Sequence, residues 1–296
     1  MLTVATVIPT HNRKECLKTV LDQLVGQHLP TIRQHIVVVV DGSTDGTLEM
    51  LSAGYPDVRV VPGTGDWWYT RSMNEGFRVA MLLRPDYILC LNDDGEVGPD
   101  YITTLVHHAR SLGHPAVVGS VTASITPPHP VLFSGVRDIN WLTYSYSLYQ
   151  EPGQPYDPTD HDPLLDTWVL PGRGMLIDRQ VMTQIGLFDE HLVQYSSDDE
   201  YCLRALKFGF QVCVCWLAVV FSNEEMTGEG SVYKLPAFLT YLSLLFNRYS
   251  PAYLNNLFYI IARYGKKWTR PFSYVSVCIG AIYTYFKYRF KPNKKR

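Results

Sequence analysis

Short apolar runs and segments of helical spacing alternate along the first half of the chain. Residues 3–8 read as a buried strand that stops at Pro9, and residues 36–40 (IVVVV) as a second that stops at Asp41-Gly42-Ser43. Residues 58–61 and 87–91 predict two more, the last closed by Asn92-Asp93-Asp94-Gly95. In residues 14–25, Leu17, Val20, Leu21 and Leu24 recur at helical spacing, and residues 44–51, 72–83 and 101–112 read the same way. Residues 116–121 predict a fifth strand. This alternation predicts an α/β fold, a mostly parallel sheet with helices on both faces. In open sheets of this kind ligands collect at the carboxyl ends of the strands, where the polar clusters fall.

The texture then changes. Seven prolines from Pro127 to Pro163 punctuate a stretch that also holds Trp141, Tyr144, Tyr146 and Tyr149. That aromatic content is too high for disorder, so loops and short hairpins laid over the sheet are expected. Regular structure is expected again at 168–170, in helices over 179–185 and 199–208, the second stopped by Gly209, and in a strand over 212–216.

Of 296 residues, 46% are hydrophobic and 18% charged, which excludes disordered and fibrous classes and allows one large domain or two smaller ones. The net charge of −2 conceals a split: residues 234–296 carry 12 basic and no acidic residues, against 14 basic and 28 acidic in 1–233. Uncharged blocks at 235–247, 249–262 and 271–286, separated by Lys and Arg, suit helices lying in a membrane interface. The polybasic end adds about 1 kcal/mol per charge near an anionic leaflet. A lid on the preceding domain or a homodimer interface are the other uses of such a tail. Nucleic acid fits less well, because long apolar blocks space the charges and no nucleic-acid module accompanies them. Residues 271–286 fall short of the ~20 needed for a span. The opening MLTVATVIPT does not read as a secretory leader. Six cysteines without a C-x-x-C pair read as reduced thiols in a cytoplasmic protein, with Cys213 and Cys215 in the core. His107-His108 reads as a solvated helix surface.

Three polar turns follow strands of one sheet and should meet: Pro9-Thr10-His11-Asn12-Arg13, the Asp41 turn, and Asn92-Asp93-Asp94. Asp41 could accept hydrogen bonds from a nucleobase or ribose. Asn92 and Asp94 are hard oxygen ligands suited to Mg²⁺ or Mn²⁺ shared with a diphosphate. Asp45 reads as a helix cap. The adjacent Trp67 and Trp68 either plug the core or form a binding wall. Gly172 and Gly174 flank Arg173, and either admit a ligand to the backbone or serve a turn.

VIPTHNR, VVVVDGSTDGT, LNDDGEV, PGRGMLIDRQVMTQIGLFDE and SSDDEYCLRALKFGF stand in the order and spacing of the motifs of family 2 glycosyltransferases with the GT-A fold. Over roughly residues 3–225 the chain resembles that family, in particular bacterial rhamnosyl- and galactosyl-type enzymes of surface-polysaccharide synthesis. The resemblance implies an inverting hexosyltransferase that moves a sugar from a UDP- or dTDP-linked donor to a hydroxyl of a glycan or lipid-linked acceptor, using Mg²⁺ or Mn²⁺. A catalytic domain over 1–233 is expected, its nucleotide-binding half 1–95 and its acceptor half 96–233, followed by a helical extension over 234–296.

On the donor side the resemblance places Pro9, Thr10, His11, Arg13, Asp41, Arg71, Asn74, Asn92 and Asp93, with the metal at Asp94 and Asn92 in the place of a D-x-D motif. Asp198 matches the general base. The acceptor and sugar side takes Trp67, Trp68, Gly172, Arg173, Gly174, Asp199, Glu200 and Arg204. Bland readings stand beside three of these: a helix N-terminus for Asp199, a cap for Asn74 and a surface charge for Arg71. Asn92 departs from the usual Asp, and a histidine that serves some members as third metal ligand has no counterpart, leaving Asn223 or Ser222. The expected place is the inner face of the cell membrane. The alternative is a catalytically silent nucleotide- or glycan-binding relative. A dehydrogenase is disfavoured, because no G-x-G-x-x-G follows the first strand.

Overall fold

Residues 4–8 are buried on both sides of the sheet, and the strand that carries them lies in its interior, third from one edge. The computed structural model describes residues 1–222 and 238–289. Strand β1 (Leu2–Thr10) lies parallel to β2 (Ile32–Asp41) on one side and to β4 (Tyr87–Cys90) on the other, with Val7 opposite both Val37 and Cys90; β3 (Arg59–Gly63) is parallel beyond β2. Beyond β4 come β11 (Met175–Asp178), antiparallel to both neighbours, then β6 (Ala116–Ser124) and, parallel to it, β12 (Gln211–Ser222). The edge is β10 (Leu164–Asp166), while β5 (Gly95–Val97) pairs with the far end of β12 and β7 (Val131–Phe133) with β6. A separate hairpin joins β8 (Val136–Asn140) to β9 (Ser145–Leu148).

Alternation along β1 divides the core in two. Val4 and Ile8 pack with Leu17, Leu21 and Leu24 of α1 (Lys14–Val25), Leu51 of α2 (Thr47–Gly54) and Ile102 and Leu105 of α4 (Tyr101–Ser111). Ala5 and Val7 pack with Met73 and Phe77 of α3 (Trp68–Leu82), Val181 of α5 (Arg179–Ile185) and Leu203 of α6 (Ser197–Lys207). The helices thus cover both faces, as the parallel strands require. Helix α3 sits so close that a Cβ on Gly76 would lie 2.3 Å from Val7 Cγ1 and 3.0 Å from Val39 Cγ2.

Three expectations shift. Residues 168–170 are not a strand: Val169 and Leu170 are buried apolar residues on an irregular segment, and Leu170 fills the space a side chain at Gly119 would take. Helix α2 starts at Thr47 rather than at residue 44, because Asp45 accepts from Thr47 N (3.2 Å) and Gly46 turns left-handed at φ +85°. Helix α3 starts at Trp68, four residues early, for a reason given with the site below.

The extension forms α7 (Phe238–Leu245), α8 (Leu254–Tyr264) and α9 (Arg270–Arg289). It is pinned to the sheet domain by Asn256 Nδ2 on Tyr195 O (3.2 Å), Tyr259 OH on Asp189 (2.6 Å) and Tyr264 OH on Glu200 (2.5 Å). Among the described residues no helix is long and apolar enough to cross a membrane. Asn223 and the basic end over residues 290–296 lie outside the described residues.

Gly76→Val should destabilise the protein by about 1–3 kcal/mol through overpacking between α3 and the sheet. Denaturant unfolding of the purified variant measures this, and an unchanged midpoint would show that the helix moves away without cost.

Candidate active site

Because β1, β2 and β4 run parallel, Thr10, Asp41 and Asn92 emerge at the same edge of the sheet. They open into a cleft of about 480 Å³ whose wall also includes Pro9, His11, Arg13 and Trp68. Asp93, Asp94, Gly172, Arg173 and Asp198 complete the set of expected residues brought together there.

Asp41 is 6% exposed and its carboxylate is largely taken up by backbone. Oδ1 accepts from Gly65 N (2.6 Å), and Oδ2 accepts from Trp67 N (2.9 Å) and Trp68 N (3.2 Å). A carboxylate from β2 thus supplies the negative charge at the start of α3, which is why that helix begins so early. One of about four acceptor positions on the two oxygens is left for a ligand. His11 Nδ1 meets Asp41 O, and Asn12 Oδ1 accepts from Thr44 N (2.7 Å), so the first two turns are tied to each other.

The acidic turn divides its labour. Asp93 accepts from Thr10 Oγ1 (2.8 Å) and Arg13 Nη1 (3.2 Å), and burial pushes its carboxyl up to about 6. Asp94, with a side chain 5% exposed, accepts from the same Arg13 nitrogen at 3.1 Å through Oδ2. Its Oδ1 and Asn92 Oδ1 are buried oxygens with no hydrogen-bond partner. Two orphaned hard oxygens side by side in a cleft fit a divalent cation. Among the described residues no group of three His, Cys, Asp or Glu side chains could hold a metal, so such an ion would complete its shell with ligand and water oxygens, as Mg²⁺ commonly does. Ser222 Oγ accepts from Arg173 Nη1 (2.7 Å).

Across the cleft Asp198 opens α6. Its Oδ2 accepts from Gly172 N (2.7 Å) and its Oδ1 from Asp199 N (3.1 Å). Burial raises its pKa above the usual carboxylate range, against the opposing pull of those N–H groups and Arg173. Gly172 is obligatory for the approach, since a Cβ there would lie 1.8 Å from the Tyr69 hydroxyl. That hydroxyl is buried without a partner, and burial together with Asp198 drives its pKa well up.

Other expected residues do not line the cleft. Asn74 donates to Phe188 O (3.0 Å) and Glu190 (2.9 Å) and accepts from Phe188 N (3.0 Å), pinning the 188–190 loop to α3. Glu200 is fully buried, paired with Arg204 Nη2 at 3.0 Å, while Arg204 also donates to Ile185 O (2.6 Å) and Leu187 O (2.7 Å). Asn74 and Arg204 thus hold the loop after α5 against α3 and α6. Gly174 bonds Cys90 O (2.8 Å) in a turn at φ +87°. Arg71 is exposed and lies over the Trp67 ring at 5.1 Å, and Trp67 sits behind the wall. Asp199 lines a different cavity.

The cleft also takes Gln194 and Tyr195, to which the sequence did not point, together with Tyr69, Ser72 and Ser196, which stand in segments it did single out but were not named as site residues. Gln194 Oε1 accepts from Tyr69 N (2.9 Å), and Ser196 holds φ +70°. Trp68 is likewise left-handed at φ +59° and stacks on Tyr249 of the extension, ring centroids 4.1 Å apart. Backbone strain of this kind at a cleft has no sequence signature. Only the unusual Trp67-Trp68-Tyr69 run hinted at it.

The pattern described as glycosyl transferase family 2 matches residues 6–182, more than half of the chain. The chain belongs to that family. The low-salt glycan biosynthesis hexosyltransferase Agl10 of Haloferax volcanii is 24% identical to this family 2 chain over 199 residues, 64% of this chain and 59% of its own length. GalNAc-T7, crystallised with UDP, GalNAc and Mn²⁺, superposes with a TM-score of 0.62 at 16% identity over 75% of this chain and 43% of its own. TarS of S. aureus gives 0.56 at 13% identity over 97% of this chain and 49% of its own. The fold of this family 2 chain is therefore GT-A, and it spans about half the length of the proteins it matches.

Gly172→Ala should lower the thermal midpoint and weaken the Gly172–Asp198 hydrogen bond. Adding Tyr69→Phe, which removes the clashing oxygen, should recover part of the loss in the double variant. Additive losses in a melting-curve cycle would show that the two side chains do not compete for the same space.

Proposed function

We propose that this family 2 chain is an inverting glycosyltransferase, moving a hexose from a nucleoside-diphosphate sugar to an acceptor hydroxyl. The observation that carries this reading is the meeting of Asp41, the Asn92/Asp94 oxygens and Asp198 in one cleft. The UDP, GalNAc and Mn²⁺ in the GalNAc-T7 structure support a UDP-type donor and a divalent ion, and the hexosyltransferase relative supports a hexose.

Asp41, His11 and Pro9 hold the base and ribose, Asp41 through its remaining acceptor position. Four carboxyl groups against the guanidinium groups of Arg13 and Arg173 line the cleft, so a diphosphate adds negative charge where it is already in excess. A Mg²⁺ or Mn²⁺ ion held by Asn92 Oδ1 and Asp94 Oδ1 would neutralise the departing diphosphate. Arg13 binds Asp93 and Asp94 together and keeps both carboxylates in place. Asp198, oriented by Gly172 N, takes the proton of the acceptor hydroxyl as the new bond forms. Its raised pKa makes it a stronger base than an exposed carboxylate. Base and diphosphate lie on opposite faces of the sugar in a single displacement, so the anomeric configuration inverts. The acceptor is a glycan or lipid-linked hydroxyl.

The composition of the extension supports peripheral attachment at the inner face of the membrane. Phe272, Val275, Ile279, Tyr283 and Phe286 leave an exposed apolar stripe along α9, flanked by basic residues, as in interfacial helices. Six free cysteines suit a reducing compartment.

Incubation with a panel of UDP- and dTDP-sugars, Mn²⁺ and acceptor should release nucleoside diphosphate. Asp198→Asn should lower turnover by at least about 100-fold with donor affinity kept; retained turnover removes Asp198 from the base role. Since the ionised form is the active one, kcat/KM should fall as pH drops through a pKa above that of a free aspartate. Asp94→Asn should raise the Mn²⁺ concentration needed for half-maximal donor binding, read by nucleotide titration without acceptor; an unchanged requirement would place the ion elsewhere.

A further inference from the structure

The segment that leads into the base carries a polar side chain with no part in proton transfer or metal binding. Gln194 lines the cleft a short way before Asp198 in the chain. Its Oε1 accepts from Tyr69 N (2.9 Å), and a backbone N–H can meet only the carbonyl end of the amide. The amide is therefore fixed in orientation, its NH₂ group turned away from Tyr69 N. Among the described residues no protein group engages that NH₂.

The start of α3 divides its free N–H groups between two partners. Trp67 N and Trp68 N donate to Asp41, and Tyr69 N donates to Gln194. Gln194 thus stands between the carboxylate assigned to the nucleotide and the carboxylate assigned to the base. Donation from the positive end of a helix to the amide carbonyl polarises the amide and strengthens its NH₂ as a donor. The loop that carries it is tied on two sides. Thr70 N donates to Val193 O (3.1 Å) and Thr70 Oγ1 to Leu192 O, while Asn256 Nδ2 of α8 donates to Tyr195 O (3.2 Å).

One turn of α3 beyond Tyr69 is Ser72, only 2% exposed and yet part of the cleft wall. Residues three apart share a helix face, so Ser72 and Tyr69 address the same side. The Ser72 hydroxyl, too, has no hydrogen-bond partner among the described residues. Neither group carries charge, so the two match neutral hydroxyls and not a diphosphate. A buried hydroxyl and a fixed amide donor, both unspent in one cleft, await a ligand's oxygens.

We propose that Gln194 and Ser72 form a hydrogen-bonding seat for the transferred hexose and select a sugar with hydroxyls at the positions they face. The inference rests on the transfer reading above and adds how the sugar itself is recognised. A purely structural Gln194 accounts for the tie to Tyr69 N but not for the unspent NH₂ or the Ser72 hydroxyl.

The probes are UDP, UDP-glucose, UDP-galactose and the mono-deoxy forms of both sugar nucleotides, titrated by calorimetry with Mn²⁺ and without acceptor. Removing a hydroxyl that the seat holds should weaken binding by about 3- to 10-fold, with UDP as the baseline. Gln194→Met keeps the length of the side chain but has no N–H donor, and Ser72→Ala removes the hydroxyl with a residue that suits a helix. In each variant the penalty for one hydroxyl should vanish while affinity for UDP stays unchanged. A residue acting only on the loop would leave every penalty in place, with additive effects. Ser72→Ala keeps the test sound if Gln194→Met, deprived of its tie to Tyr69 N, does not fold. Penalties that persist in the folded variants overturn the proposal. So does an unaltered protein indifferent to every sugar hydroxyl, or variants that weaken UDP as much as the sugar nucleotides. Nucleoside diphosphate release with acceptor is assayed separately: its failure with the hydroxyl penalties behaving as expected sinks the transferase reading and leaves the seat, and the reverse result removes only the seat.

Discussion

Parallel pairing of β1 with β2 and β4 is the constraint on which the site depends. Three strands that run the same way must end at the same edge, and each must end in a turn that faces the same space. With Val7 opposite both Val37 and Cys90, the residues that follow each strand arrive level with one another. A cleft then forms from chain segments more than eighty residues apart, without any one of them encoding it. The antiparallel insertion of β11 adds the fourth contributor: the Gly172 turn just before it comes back to the same edge and presents its N–H to Asp198.

Within that cleft neighbouring acidic residues have been given different work by their surroundings. Asp93 faces inward to Thr10 and Arg13 and gives up part of its acidity, while Asp94 keeps an oxygen unpartnered beside that of Asn92. Around Asp198 the same division recurs over three positions. Asp198 faces the cleft, Asp199 the neighbouring groove, and Glu200 is buried against Arg204 and Tyr264. Successive residues of a helix point about 100° apart, so an acidic triplet at its start addresses three environments at once.

The strand-helix alternation and the strand-end clusters were legible because apolar period and turn chemistry are local properties. The boundaries of α1 and α5 follow directly from them. What was illegible depends on contacts made at long range. Helix α3 begins at Trp68 because a carboxylate twenty-seven residues earlier caps it, and no pattern near Trp68 encodes that. Residues 168–170 carry the composition of a strand, yet they are needed as filling against Gly119 and not as a hydrogen-bonded edge. Asn74 stands in a motif that suggests a ligand contact, but its two-sided amide satisfies the backbone of Phe188 instead. Tyr69 and Ser196 owe their place to backbone geometry that single residue types do not announce.

The stack of Trp68 on Tyr249 has an architectural consequence. Trp68 belongs to the wall of the cleft and Tyr249 to the stretch between α7 and α8, with the Arg248 guanidinium lying over the tyrosine ring at 5.5 Å. The rim of the cleft is thus assembled from both ends of the polypeptide. A version of the enzyme cut after the sheet would keep its carboxylates but lose one jamb of its doorway, so the extension belongs to the entrance as much as to any surface on which the molecule rests.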